Sequence, residues 1–160
     1  MKPSNTHRTG EKNVSLNRQA FHQYHISDVF EAGMALRGTE VKSIRAGRVN
    51  LKDGYGVVKG GEVWLHNCHI SPYEQGNRMN HEPLRPRKLL LHRREIRKLI
   101  GQTSERGMTL VPLRIYFQKG RAKCEIALAK GKKLFDKREK EKRKTMEREA
   151  RQAMKQRDVG

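Results

Sequence analysis

The chain has 160 residues, of which 36 are Lys or Arg and 17 are Asp or Glu, so its formal net charge at neutral pH is +19. A charge of this size says little about fold, but it predicts a polyanionic partner that relieves repulsion within the compact state. No apolar run approaches the roughly 18 residues of a membrane span. No signal peptide or lipidation motif is present, so nucleic acid is favoured over a membrane as the partner.

The first quarter of the chain changes from polar to patterned sequence. Residues 1–16 are polar and lack periodicity, so we predict a flexible basic arm. The apolar residues that follow predict a strand over residues 24–34. Residues 39–45 predict a short helix, with Thr39 as its N-cap and Gly47 as its stop.

The next segment carries a hairpin signal. Residues 55–59 and 62–66 read as strands separated by Gly60-Gly61, a pair that can adopt positive φ. The second strand can continue as far as Ile70. Residues 73–84 have the Gly, Asn and Pro content of a loop.

Residues 89–128 are predicted to form another strand, a helix and a second hairpin. Leu89-Leu90-Leu91 predicts a buried strand, and a helix is expected over about residues 93–105. Residues 113–117 and 122–128 alternate between apolar and polar side chains around a turn at residues 118–120. The pattern predicts a mostly β fold, a small antiparallel barrel of the oligonucleotide-binding type with two or three helices, since closure removes exposed edges.

The C-terminal segment has a different composition. Residues 130–160 contain 13 Lys and Arg and 6 Asp and Glu, a net charge of +7. The apolar stripe through Met146 and Met154 is too narrow to dock on a core, and an isolated helix of this length is marginal in water. We therefore predict an arm (1–16), a barrel (17–129) and a tail that is disordered alone and helical against an anionic surface. Composition alone also allows an alternative, in which the charged tail serves only to keep the chain soluble.

Few residues suggest metal or catalytic chemistry. The two cysteines lie in apolar runs that predict burial, and the spacing of His66, Cys68 and His69 matches no structural zinc signature. His92 with Glu95 is the best acid–base pair, but a His at such a strand–helix junction more often contacts RNA or caps the helix. No catalytic constellation can be assembled, so we expect neither an enzyme nor a cofactor.

RNA recognition is the chemistry that the basic residues favour. Each charge is individually compatible with a solvated surface, and most aromatic rings are expected in the core. Taken together, the basic residues can bind several phosphates of an RNA backbone, and the aromatic rings offer surfaces on which bases can stack. The basic groups are Lys42, Arg45 and Arg48, and then Arg85, Arg87, Lys88, Arg93, Arg94, Arg97 and Lys98; the rings are Phe21, Tyr24, Tyr55 and Tyr73.

Four long strings point to a known family. They are GTEVKSIRAGRVNLKDGY (38–55), NCHISPYEQG (67–76), HEPLRPRKLLLHRREI (81–96) and EIALAKGKKLFDKRE (125–139). Together they closely resemble small protein B, the SsrA-binding protein family that partners transfer-messenger RNA (tmRNA) in bacteria. The resemblance runs from about residue 17 to residue 138 without a large gap.

The resemblance implies a specific function. In this family a barrel of the oligonucleotide-binding type binds the tRNA-like domain of tmRNA at its elbow, and the complex enters 70S ribosomes stalled without a stop codon. The tail then lies as a helix in the decoding centre and the empty mRNA channel, while the nascent chain is tagged for degradation in trans-translation. We accordingly expect a cytoplasmic chain that is monomeric in solution. A ribosomal or ribosome-assembly protein with a barrel and a basic tail is the alternative that composition leaves open.

The resemblance also implies site residues. Two of these residues, Glu31 and Glu40, are carboxylates. Each can accept a hydrogen bond from a guanine edge or a 2′-hydroxyl of the RNA, or it can hold local structure, and both roles stay open. By position, the RNA contacts fall at Asn17, Glu31, Glu40, Lys42, Arg45, Lys88, Leu90 and His92.

The tail contains two motifs that resemble the ribosome-acting motifs of the family. They are Gly131, Lys132 and Lys133, and then Asp136, Lys137 and Arg138. Between them, Phe135 stands where the family usually has Tyr or His. A phenyl ring can stack on a base but cannot hydrogen-bond, which puts a polar role at this position in doubt.

Overall fold

The computed structural model describes residues 11–75, 80–105, 107–132 and 134–158. Within these ranges the chain forms nine strands and four helices. In chain order they are β1 (Glu11–Leu16), α1 (Arg18–Gln23), β2 (Tyr24–Met34), α2 (Gly38–Arg45), β3 (Val49–Asn50), β4 (Tyr55–Lys59), β5 (Glu62–His66), β6 (His69–Ile70), β7 (Arg87–Leu90), α3 (Arg93–Thr103), β8 (Met108–Gln118), β9 (Arg121–Gly131) and α4 (Leu134–Asp158). The predicted mostly β fold is confirmed.

Six strands close into an antiparallel barrel. The order is β8-β4-β5-β7-β2-β9, and β9 pairs back onto β8 along most of its length. Inward side chains alternate along each strand, as at the fully buried Cys124 and Ile126 on β9. The barrel prediction is therefore confirmed, and its interior is filled by one apolar cluster to which α3 contributes Leu99.

Gly56 lies where the barrel closes. Strand β4 meets β8 at one register pair, Gly56 opposite Leu110. A Cβ on Gly56 would come within 2.7 Å of the Cβ of Leu110 and 2.8 Å of the Cδ1 of Ile126. Closure at this point therefore requires a residue without a side chain.

Replacing Gly56 with Ala is expected to lower the free energy of unfolding by about 1–3 kcal/mol, because the added methyl overpacks the seam. Chemical denaturation measures this loss. Gly101→Ala in α3 is the control, since no heavy atom lies within 4 Å of its Cβ position, and it should be neutral or stabilising by up to about 1 kcal/mol. Equal stability of the Gly56 and Gly101 variants would contradict this account of closure.

Both predicted hairpins are present. The β4–β5 turn has Gly60 at φ 61° and Gly61 at φ 73°, and the β8–β9 turn has Lys119 at φ 50° and Gly120 at φ 74°. Positive φ at both central residues matches the right-handed twist of the flanking strands. The turn chemistry that the sequence indicated therefore sets the register of both hairpins.

The N-terminal segment differs from the prediction. Residues 11–16 form β1, which pairs with β8 from Glu11 opposite Gln118 to Leu16 opposite Arg114. The flexible-arm prediction is wrong for these residues because Val14 packs against the core while the backbone satisfies an open edge of β8. Residues 1–10 lie outside the described part of the chain.

Two further boundaries are settled by the structure. The sequence left open a continuation of the second hairpin strand to Ile70, but β5 ends at His66, Asn67 has a φ of 55°, and β6 pairs instead with β3. The N-cap of α2 is Arg37, two residues before the predicted Thr39. Thr39 does not cap the helix but hydrogen-bonds the Nδ1 of His81 at 2.9 Å.

The tail follows β9 closely. Strand β9 extends to Gly131, so the barrel ends two residues beyond the predicted boundary, and Leu134–Asp158 is helical. The disorder expected for the tail in isolation stays a prediction. Among the described residues, none of the helices combines the length and apolarity needed to span a bilayer.

Candidate nucleic-acid interface

A groove of about 550 Å³ runs across the outer face of β7, β2 and the start of β9. Strand alternation explains its composition, because Leu89 is buried in the core while Leu90 points outward. Leu90 lies opposite Gly33 in the β2–β7 register. Three residues that the resemblance implied therefore meet here, and the main lining residues are Glu31, Gly33, Leu90, His92, Arg121 and Lys123.

Glu31 is exposed in this groove and is held in place from one side. The hydroxyl of Tyr116 donates to its Oε2. Tyr116 in turn lies under Arg114, whose Cζ is 4.0 Å from the ring centroid and whose Nε donates to Glu125 at 2.6 Å. This network orients the carboxylate while its exposure leaves it accessible, so local support and RNA contact are compatible at Glu31.

Glu40 lies in the interior and not in the groove. It has no exposed surface, and its oxygens accept from the backbone N of Arg37 at 2.9 Å, the Nε of Arg87 at 2.6 Å and the guanidinium of Arg85. Burial alone would raise its pKa, but these hydrogen bonds and the charge of Arg87 hold the pKa below its ordinary value. The implied RNA contact at Glu40 is therefore corrected to a structural role.

The prediction for Arg87 is also corrected: it was a candidate phosphate contact, but it lies in the interior. Its side chain is fully buried, and its other nitrogens donate to the carbonyls of Cys68 and of Glu82 at 3.3 Å. Because the same guanidinium holds Glu40, it joins α2, the β5–β6 connection and the segment before β7. Sequence alone could not place these charges, since a buried ion pair and a basic surface have the same composition.

Asn17 is the second implied contact that is buried. Only 5% of its surface is exposed, and its Nδ2 donates to the carbonyl oxygens of Pro112 at 2.9 Å and Leu51 at 3.3 Å. Its backbone N also donates to the carbonyl of Leu113. Asn17 therefore fixes the junction between β1 and α1, beside a separate cavity of about 180 Å³.

Helix α2 presents Lys42 and Arg45 on the surface, as expected. The Nζ of Lys42 lies 5.3 Å from the ring centroid of Tyr73, and the Cζ of Arg45 lies 5.7 Å from that of Phe117. Cation–π contacts of this kind hold each charge in place without neutralising it. Val41 of the same helix lines the groove, whereas Lys42 and Arg45 are not among its lining residues.

Lys88 shares the outer face of β7 with Leu90. Its Nζ lies 2.6 Å from the Oε1 of Glu62, and both side chains are about two-fifths exposed. An exposed ion pair of this kind contributes little to stability. A phosphate could therefore replace Glu62 as the partner of Lys88 at little cost.

His92 connects the groove to a second depression. Its backbone N donates to Glu95 at 3.2 Å, so the acid–base pair considered from sequence is part of the α3 N-terminus. The second depression has a volume of about 820 Å³ and is lined by His92, Arg93, Arg94, Glu95 and Arg97. His92 lines both depressions, so they adjoin at this residue.

The cysteines and nearby histidines do not form a metal centre among the described residues, where no three potential ligands cluster. Burial raises the pKa of the Cys68 thiol to about 12 and also raises that of Cys124. His66 instead stacks on Tyr55, with ring centroids 5.5 Å apart. The buried-thiol prediction is confirmed.

The base of the tail is fastened to α1. Gly131 pairs with Tyr24 at the end of β9. The backbone N of Lys132 donates to the carbonyl of Gln23 at 2.9 Å, and its Nζ donates to the carbonyl of Phe21 at 3.2 Å. Of the other implied tail residues, Lys133 lies outside the described residues, as do the side chains of Phe135, Asp136, Lys137 and Arg138.

Sequence reasoning missed part of the groove. Arg121 and Lys123 belong to it, although only their alternation with inward residues on β9 was visible. That alternation shows that a residue points outward but not which strand lies beside it. Tyr116, which is almost fully buried, gave no signal of its role beneath Glu31.

Comparison with known proteins identifies the family of this barrel. A family profile described as "SmpB protein" matches residues 14–156. The chain belongs to the SmpB family. The "SsrA-binding protein" of Carboxydothermus hydrogenoformans is 58% identical over 147 residues, covering 92% of this chain and 99% of the relative. That of Geobacillus thermodenitrificans is 61% identical over 146 residues, covering 91% and 94%.

A solved SmpB structure has a similar fold. The structure named "tmRNA-SmpB: a journey to the center of the bacterial ribosome" contains a chain that is 50% identical, with a TM-score of 0.64. The match covers 75% of the present chain and 85% of that chain. The SmpB resemblance inferred from the four sequence strings is thereby confirmed.

Proposed function

We propose that this chain binds the tRNA-like domain of tmRNA and delivers it to stalled ribosomes for trans-translation. The observation that carries the proposal is the SmpB family match over residues 14–156, together with relatives named for SsrA binding at about three-fifths identity. The solved tmRNA–SmpB relative on the bacterial ribosome supports the second partner. This assignment is favoured over a general ribosomal or assembly protein.

The groove supplies the RNA contacts in this proposal. Leu90 offers an apolar surface for a base or ribose, with 52% of it exposed in the free chain. The oriented carboxylate of Glu31 accepts from a guanine edge or a 2′-hydroxyl, while Arg121 and Lys123 contact phosphates. Because these groups stand on paired strands, the barrel presents a fixed surface to a folded RNA.

The tail acts on the ribosome in this proposal. Helix α4 is charged and almost free of apolar residues, so it can follow a channel lined with phosphate. The contacts of Lys132 with α1 set where the helix leaves the barrel. The helix then occupies the decoding centre and the empty mRNA channel, with Phe135 stacking on a base.

The chain works by binding and positioning in this proposal, and bond-making belongs to the ribosome. The hydrogen bond from the backbone N of His92 to Glu95 supports this view, because it engages the carboxylate of the best acid–base candidate pair at a helix terminus. We place this activity in the bacterial cytoplasm and expect the chain to be monomeric in solution.

Replacing Leu90 with Ser should weaken binding to the tRNA-like domain by about tenfold, since residues whose truncation costs more than about 1 kcal/mol cluster near the centre of an interface, where the proposal places Leu90. Titration of labelled RNA measures this loss. Leu84→Ser is a matched control, because Leu84 is 51% exposed and does not line the groove. Equal affinities of the two variants would contradict the assignment of the groove.

Ribosome association tests the wider function. Purified chain and tmRNA are added to 70S particles that are either translating or stalled at the end of a truncated message. Association restricted to stalled particles and dependent on tmRNA supports the proposal. Stoichiometric binding to every translating particle without tmRNA would favour a ribosomal protein instead.

A further inference from the structure

Helix α3 has an arginine-rich outer face. At about 100° per residue, Arg93, Arg94 and Arg97 fall within roughly 100° of one another around the helix. Leu99 lies on the opposite side and is fully buried in the core. The three arginines are exposed and line the second depression, which His92 also lines.

These arginines differ from several other basic residues of the barrel, which form ion pairs. Lys88 pairs with Glu62, Lys98 with Asp28 at 3.3 Å, and Arg114 with Glu125. Within the described part of the chain, none of the three α3 arginines has a carboxylate within ion-pair distance. Their charge is therefore available to an external anion.

The spacing of the arginines carries an energetic cost in the free chain. Arg93 and Arg97 are four residues apart and Arg94 and Arg97 three apart, so each pair places like charges on neighbouring turns. Like-charge pairs at this spacing destabilise a helix. A phosphate backbone lying along α3 would relieve this repulsion while releasing counterions.

We infer that α3 is a second contact surface for the RNA bound in the groove, with Arg93, Arg94 and Arg97 each binding backbone phosphate. The inference rests on the proposed function. We assign both surfaces to one RNA molecule because the two depressions adjoin at His92, so an RNA that covers the groove is also within reach of α3. Glu95 lines the same depression, and the hydrogen bond that its carboxylate accepts from the backbone N of His92 holds it at the start of the helix.

The test is the salt dependence of binding to the tRNA-like domain and to an unrelated structured RNA. In the variant with Arg93, Arg94 and Arg97 all replaced by Gln, the slope of log affinity against log salt should become shallower by about 2–3, because each phosphate contact contributes roughly 0.7–0.9. Affinity for the tRNA-like domain at about 150 mM salt should fall about 100-fold. Gln keeps the helix propensity close to that of Arg, and circular dichroism checks the fold.

Two control variants separate position from total charge. Replacing the same arginines with Lys keeps the charge and should keep the slope. Replacing Lys142, Arg148 and Arg151 with Gln removes an equal charge from α4 and should leave the slope unchanged. An unchanged slope in the α3 variant, or an equal loss in the α4 variant, would overturn the inference. The proposed function fails separately if the wild-type chain does not distinguish the two RNAs.

Discussion

Glu40→Gln is expected to lower the free energy of unfolding by about 3–5 kcal/mol, because it leaves the fully buried Arg87 without its countercharge. Denaturant titration followed by circular dichroism measures the loss. Glu62→Gln is the matched control, since it breaks the exposed pair with Lys88 and should cost less than about 1 kcal/mol. If Glu40→Gln and Glu62→Gln lowered the free energy of unfolding by the same amount, the interior role of the Glu40 carboxylate would be contradicted.

The same side chain predicts part of the acid sensitivity. Burial raises the pKa of Glu40, but the hydrogen bonds from Arg37, Arg85 and Arg87 outweigh it and hold the pKa below its ordinary value of 4.5. A carboxyl with a depressed folded-state pKa contributes stability that is present above 4.5 and lost as pH falls through the folded value. The wild-type chain should therefore lose stability more steeply than Glu40→Gln in this window, and parallel acid profiles would contradict the assignment.

Truncation after Lys132 should abolish tagging on stalled ribosomes while leaving affinity for the tRNA-like domain unchanged. The groove lies wholly on the barrel, and α4 starts beyond the last strand. The cut is placed after Lys132 because β9 runs to Gly131 and the backbone N of Lys132 bonds to α1. Removing residue 131 or 132 would disturb the barrel as well as the tail.

Leu90→Ser is the reciprocal control for this truncation. It keeps the whole tail and should lose RNA affinity, whereas the truncated chain keeps affinity and loses tagging. Tagging in a reconstituted translation system and RNA titration are measured on both variants. Full tagging by the truncated chain would show that the tail is dispensable and would contradict the division of labour.

Local chemistry made the barrel strands predictable from sequence. Alternation of apolar residues located the strands of both hairpins, and Gly60-Gly61 located the turn of the first. Both signals are visible in the sequence because strand period and positive φ are properties of neighbouring residues. Strand β1 was missed because its polar residues carry no alternation. Its position depends on an open edge of β8 more than 90 residues away.

The candidate site was predictable only in part for a similar reason. Glu31, Leu90 and His92 share a groove as the resemblance implied, whereas Glu40 and Asn17 are buried. Position in an aligned family shows that a residue matters but does not distinguish contact from support. The distinction depends on which distant groups meet it, such as Arg87 at Glu40.

Binding of the purified chain to the tRNA-like domain of tmRNA, against an unrelated structured RNA of equal length, tests the central claim most directly. At about 150 mM salt, where non-specific phosphate contacts weaken, the account predicts a preference of about 100-fold or more for the tRNA-like domain. Equal affinity for both RNAs would contradict it. In that case the net charge of +19 alone would account for the binding.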